Sequence, residues 1–77
     1  MFKRTGYEGN EYYLLNKNTE LPFNVGDAVT TWDEKVVLVG GTAPYKPGST
    51  GRVIVKDERG RAHEYFPSVI NAAWVKL

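Results

Sequence analysis

The sequence contains no cysteine and a single histidine, His63. Disulfides and thiolate metal ligation are thereby excluded, and one imidazole cannot assemble the usual His and Cys zinc set. Charge of one sign is also scarce: ten Lys and Arg against nine Asp and Glu leave a formal charge of +1. That balance lacks the broad cationic surface of a non-specific DNA binder, although it allows a nucleic-acid partner. Long apolar runs are missing as well. The longest, Val36 to Val39, falls far short of the ~20 residues that cross a bilayer. Nothing after the charged start resembles a signal core of about seven to fifteen apolar residues, and Phe2 stands where myristoylation requires glycine. A cytoplasmic protein without membrane attachment is expected.

Helical periodicity is equally scarce. Gly and Pro recur along the chain, and no window of a few helical turns keeps apolar residues at i, i+3, i+4 and i+7. Strands explain more. Glu11 to Leu15, Asp27 to Trp32, Lys35 to Val39 and Gly51 to Lys56 are rich in aromatic and β-branched residues. "DERG", Asp57 to Gly60, reads as a hairpin connection in which Gly60 takes a positive φ, returning the chain as "RAHEYF". Pro67 cannot donate to a ladder, so a short 3₁₀ turn is expected before a last strand from Ala73 to Leu77.

These signals predict an all-β domain of five to six strands spanning residues 10–77, preceded by a flexible tail over residues 1–9. At 77 residues the core is near the lower limit for folding without staples. Closure into a small barrel is the expected way to cover the sheet edges. Alternation places Tyr13, Leu15, Val37, Val39, Val53 and Val55 inside, together with Phe23, Val29, Tyr65, Val69, Ile70 and Trp74.

"ELPFNVGDAVT", Glu20 to Thr30, resembles the "ELSF..GD.I" segment of SH3 domains, and "YFPSVINAAWV", Tyr65 to Val75, is similar to their "FPSNYV" turn and closing strand. "EYYLL" sits where those domains carry "ALYDY"; the paired tryptophans of their middle strand are missing. The centre is instead similar to KOW barrels, with "GD.V" at Gly26 to Val29 followed by Lys46, Gly48, Gly51 and Val53. It also resembles the carboxy-terminal barrel of the nitrile hydratase β subunit. The SH3 resemblance implies a peptide groove using Tyr12 or Tyr13 and Pro67, with Ile70 in place of the family's tyrosine. Trp32 comes too early to replace the family's tryptophan, and the Asn16 to Glu20 loop offers one acid to meet a ligand arginine. "HEYFP", His63 to Pro67, further resembles the "VQIYP" strand of the tetrameric, trimethoprim-insensitive dihydrofolate reductase. Glu64 replaces the glutamine there and opposes an anionic substrate.

The "GGTAPYKPGSTGRV" stretch, residues 40–53, is not a phosphate loop. That motif needs Gly-Lys-Ser/Thr opening a helix, whereas Lys46 precedes Pro47 and a strand follows. Its glycines serve tight turns and its prolines stiffen the crossing. Tyr45 and Lys46 at its tip could stack on a base and touch a phosphate, with Arg52, Arg59 and Arg61 extending a basic strip that Asp57, Glu58 and Glu64 interrupt. Glu64 cannot orient His63, because adjacent strand residues face opposite ways. Asp33 and Glu34, like Asp57 and Glu58, read as turn carboxylates.

The expected function is a non-enzymatic binding module for another protein or for a second copy of itself, without a cofactor. The candidate contact residues are Tyr12, Trp32, Tyr45, Lys46, Arg52, Arg61 and Pro67. Nucleic-acid binding through the 40–53 loop is the alternative. An oligomeric barrel reductase is the remote one.

Overall fold

The computed structural model describes residues 1–77 as an all-β protein of eight strands in two antiparallel sheets. Strand β2 (Glu11–Asn16) is the centre of the first sheet. Along one side it pairs with β8 (Ala72–Lys76), from Tyr12 opposite Lys76 to Asn16 opposite Ala72. Its other side is shared end to end by β1 (Lys3–Thr5), opposite its first half, and β3 (Leu21–Pro22), opposite its last residues. The second sheet is a meander of β4 (Ala28–Thr31), β5 (Glu34–Thr42), β6 (Arg52–Lys56) and β7 (Ala62–Tyr65). A tight turn at Trp32 and Asp33, both with positive φ, joins β4 to β5. The β6–β7 hairpin forms as expected, with Gly60 at φ 76°. The 3₁₀ turn before the last strand spans Pro67–Ile70, and a second such turn spans Tyr7–Gly9.

Two expectations are corrected here. The sheets are not joined into a closed barrel; β4 and β7 remain edges of the meander. The inner faces instead meet across one shared core that includes Leu14, Trp74, Leu38 and Val55, so side-chain packing brings the sheets together without continuous ladder bonding. Residues 1–9 are also not a tail. Lys3–Thr5 add a strand beside β2, and Phe2 is buried with its ring edge-to-face against Trp74 at 5.3 Å. Burying such a ring contributes about 1.5–3 kcal/mol. A lone apolar residue that joins the core ahead of the first strand carries no periodicity, which is why alternation overlooked it.

The core is also shifted by one residue in two strands. Leu14 and Leu38 are wholly buried and Val36 nearly so, while Tyr13, Leu15 and Val39 are half-buried and Val37 is 42% exposed. Both faces of "YYLL" and "VVLV" are apolar, so alternation alone does not select one. Pairing does: Leu14 lies opposite Trp74 across the β2–β8 ladder, and both belong to the shared core. Val53, Val55, Phe23, Ile70 and Trp74 are buried as expected, with Val29, Tyr65 and Val69 packed partly exposed against them.

Trp74 explains two glycines of the 40–53 stretch. Its indole Nε1 donates to the Arg52 carbonyl at 3.1 Å. A Cβ at Gly41 would stand 2.9 Å from its Cζ2, and one at Gly51 would stand 2.7 Å from its Cδ1. A Cβ at either position would also meet a backbone carbonyl, of Arg52 at Gly41 and of Thr42 at Gly51, so both glycines serve the close backbone approach as well as the slot that the indole occupies. No helix of the molecule is long and apolar enough to cross a membrane.

Candidate functional site

The slot opens onto a surface cleft of about 430 Å³. Its floor is β8, through Ala72, Ala73 and Trp74; one wall is the 43–51 crossing, through Pro44, Ser49 and Thr50; the other is Phe66, Pro67 and Ser68 at the second 3₁₀ turn. Each wall is held by specific contacts. Ala43 and Pro44 are buried, and the Pro44 carbonyl accepts from the Tyr7 backbone N–H at 2.7 Å. Gly6 lies so close to the Pro44 carbonyl that any side chain there would collide with it. The N-terminal segment thus buttresses the crossing from behind. Further along, the Ser49 N–H donates to the Lys46 carbonyl, and the Ser49 hydroxyl accepts from the Gly51 N–H at 3.2 Å.

The opposite wall begins at Pro67, whose fixed φ suits the first position of the turn and whose missing N–H has no ladder partner to lose. Asn71 ends that turn in the left-handed region with φ 51°. Phe66, just before it, is 55% exposed, yet it is held in place: the Arg52 guanidinium lies 4.0 Å from its ring centroid. Arg52 is itself tethered by donation from Nη1 to the Gly51 carbonyl at 2.8 Å. The result is a displayed aromatic ring with restricted freedom.

Among the residues singled out from sequence, this cleft gathers Pro67 on its wall, Arg52 on the ring of Phe66, and the loop that bears Tyr45 and Lys46. Tyr45 is 60% exposed at the loop tip, with the Lys46 ammonium 5.5 Å from its ring centroid. Tyr12 is half-buried against the core. Trp32 and Arg61 lie elsewhere. Trp32 is the exposed tip of the β4–β5 turn, edge-on to Tyr65 at 5.0 Å. Arg61 belongs to the β6–β7 turn, at the other end of β6 from Arg52, so the basic strip from Tyr45 to Arg61 is not assembled. Sequence reasoning did not single out Phe66, Trp74 and Lys17 among the candidate contacts, and all three line this cleft. For Phe66 the signal was present, an aromatic immediately before the turn-forming Pro67; for Lys17 there was none.

His63 and Asp57 form a separate arrangement around the β6–β7 turn. The Asp57 Oδ1 accepts from the Arg59 and Arg61 N–H groups at 2.9 Å each, and its Oδ2 lies 2.9 Å from His63 Nε2. The His63 hydrogen bond, followed by those from Arg61 and Arg59, holds the Asp57 carboxyl below its usual range against an opposing desolvation effect. This carboxylate organises its own hairpin. His63 and Tyr65 have parallel rings 5.9 Å apart on one face of β7, which leaves Glu64 facing the other way, as alternation required.

Comparisons with protein-family models, curated proteins and solved structures returned no match for this chain.

Proposed function

We propose that the protein is a non-enzymatic binding module of SH3-like kind, which holds an extended protein segment in the cleft between the 43–51 crossing and the second 3₁₀ turn. The observation that carries this reading is the lining itself. Phe66 is the exposed member of an apolar lining whose Pro44, Pro67 and Trp74 are largely buried, and Lys17 is the one ionisable side chain on it. General acid–base or nucleophilic catalysis needs titratable groups converging on one point, whereas Asp57 and His63 are engaged with each other at a different turn. Aromatic and proline walls favour extended peptides, which lie along them and seat alternate side chains. Because Arg52 already restrains Phe66, less side-chain freedom is lost on binding. The segment belongs to another protein or to a second copy of the chain.

Nuclear magnetic resonance tests this directly. Titration with pools of short peptides containing proline and phenylalanine should shift the amides of Ser49, Phe66 and Ser68 and the Trp74 indole N–H. A Phe66→Ala variant should keep its fold and lose those shifts. Shifts confined to Trp32 and the β6–β7 turn would place any interaction elsewhere and refute the reading.

The exposed Tyr45 ring with the Lys46 ammonium beside it supports a second reading, stacking on a single-stranded nucleic acid with a phosphate contact. It calls for oligonucleotide binding that weakens with added salt and on Lys46→Ala. Absence of binding at low salt would remove it.

A further inference from the structure

We infer that the segment bound in this cleft carries a carboxylate beside its apolar anchor, an inference that rests on the peptide-binding reading above. The lining includes no Asp or Glu. Two cations border it, Lys17 directly and Arg52 through the ring of Phe66. Neither has an acidic partner in the fold: the ion pairs are Lys3 with Glu11 and His63 with Asp57. Beyond its bond to Gly51, the Arg52 guanidinium donates to no other protein group, so its remaining N–H groups are free for a planar acceptor such as a carboxylate.

Lys17 is carried to this place by the backbone. Its N–H donates to the Asn71 carbonyl at 2.9 Å, and the Asn71 side-chain amide donates to the Asn18 Oδ1 at 2.6 Å. The β2–β3 turn is thereby latched to the end of the second 3₁₀ turn, which holds Lys17 at the cleft. Glu20, on the same turn, does not line the cleft. The electrostatic pattern is thus cation on the protein and anion on the ligand. This inverts the ligand arginine that the SH3 resemblance implies.

The test uses fluorescence anisotropy with labelled peptide pools that share a proline and a phenylalanine and differ in flanking Glu, Gln or Lys, each made with a free or an amidated C-terminus. The Glu pool should bind about fivefold to tenfold tighter than the Gln pool, the scale expected of two partly solvated charge contacts. Raising salt should narrow the gap, and Lys17→Glu, which sets an anion against the remaining Arg52 cation, should abolish the preference. Lys17→Gln, at an exposed position, should only erase the Lys17 share. A Glu preference independent of the terminus assigns the carboxylate to a side chain; tightening only with the free terminus assigns it to a chain end. Binding that ignores charge, or that favours Lys in the unmodified protein, would overturn this inference and leave the module standing. No binding by any pool would remove the module and the inference together.

Discussion

Replacing Gly51 by alanine tests the slot on which the cleft is built. Gly51 has φ +72°, and a Cβ there would collide with the Thr42 carbonyl oxygen and stand 2.7 Å from Trp74 Cδ1 and 3.0 Å from its Nε1. Two costs add: a left-handed alanine costs about 1–2 kcal/mol, and forcing a methyl into a filled space costs about 1–3 kcal/mol. Gly48 provides the control, since it has φ +82° and a Cβ there would meet nothing within 4 Å. Gly48→Ala should therefore show the backbone cost alone. Both substitutions reduce the freedom of the unfolded chain to a similar extent, so that contribution cancels in the difference. Gly51→Ala should be less stable than Gly48→Ala by about 1–3 kcal/mol, a large share of the roughly 4–12 kcal/mol expected for a domain of this length. Urea titration followed by Trp74 fluorescence, in a Trp32→Phe background that removes the exposed indole, measures both midpoints at constant slope. Equal destabilisation of the two variants would refute the claim that the Trp74 indole and the Thr42 carbonyl leave no room for a side chain at Gly51.

The one-residue shift of the core is checked in the same way: Leu14→Ala should cost about 2–5 kcal/mol as a buried deletion, and Leu15→Ala much less, with the reverse order supporting the alternative register. Asp57 makes a pH prediction. Its folded-state pKa is lowered, so the unfolded chain binds its proton more tightly; the stability it adds is present above the ordinary carboxylate range and is lost as pH falls through the lowered value. Urea titrations in acid should therefore show a pH slope in the unmodified protein that Asp57→Asn reduces, and identical slopes would contradict the hydrogen-bonded turn.

Where local chemistry dictates conformation, the chain was legible. Gly60 and Asp57 announce the β6–β7 hairpin through a positive φ and a side chain that accepts from the turn's own N–H groups. Pro67 announces the 3₁₀ turn, and the β-branched run Val53 to Val55, bounded by Arg52 and Lys56, announces a strand. These features depend on residues a few positions apart. The candidate site was legible only in part: Pro67 and Arg52 belong to it, whereas Trp32 and Arg61 carried the same chemical appeal and lie away from it.

The sequence by itself determined an all-β chain, punctuated by turns and without the residues for disulfides or a zinc centre of the usual kind. Tertiary structure decided which face of β2 and β5 is buried, that Phe2 closes the core, and that two sheets pack without joining into a barrel. It also decided that Gly41 and Gly51 make room for Trp74, and that Lys17 meets the second 3₁₀ turn through Asn71. Each of these outcomes depends on contacts between segments far apart in the chain. Local propensity carries no information about such partners, and where both faces of a strand are apolar, only the opposing side chains can select between them.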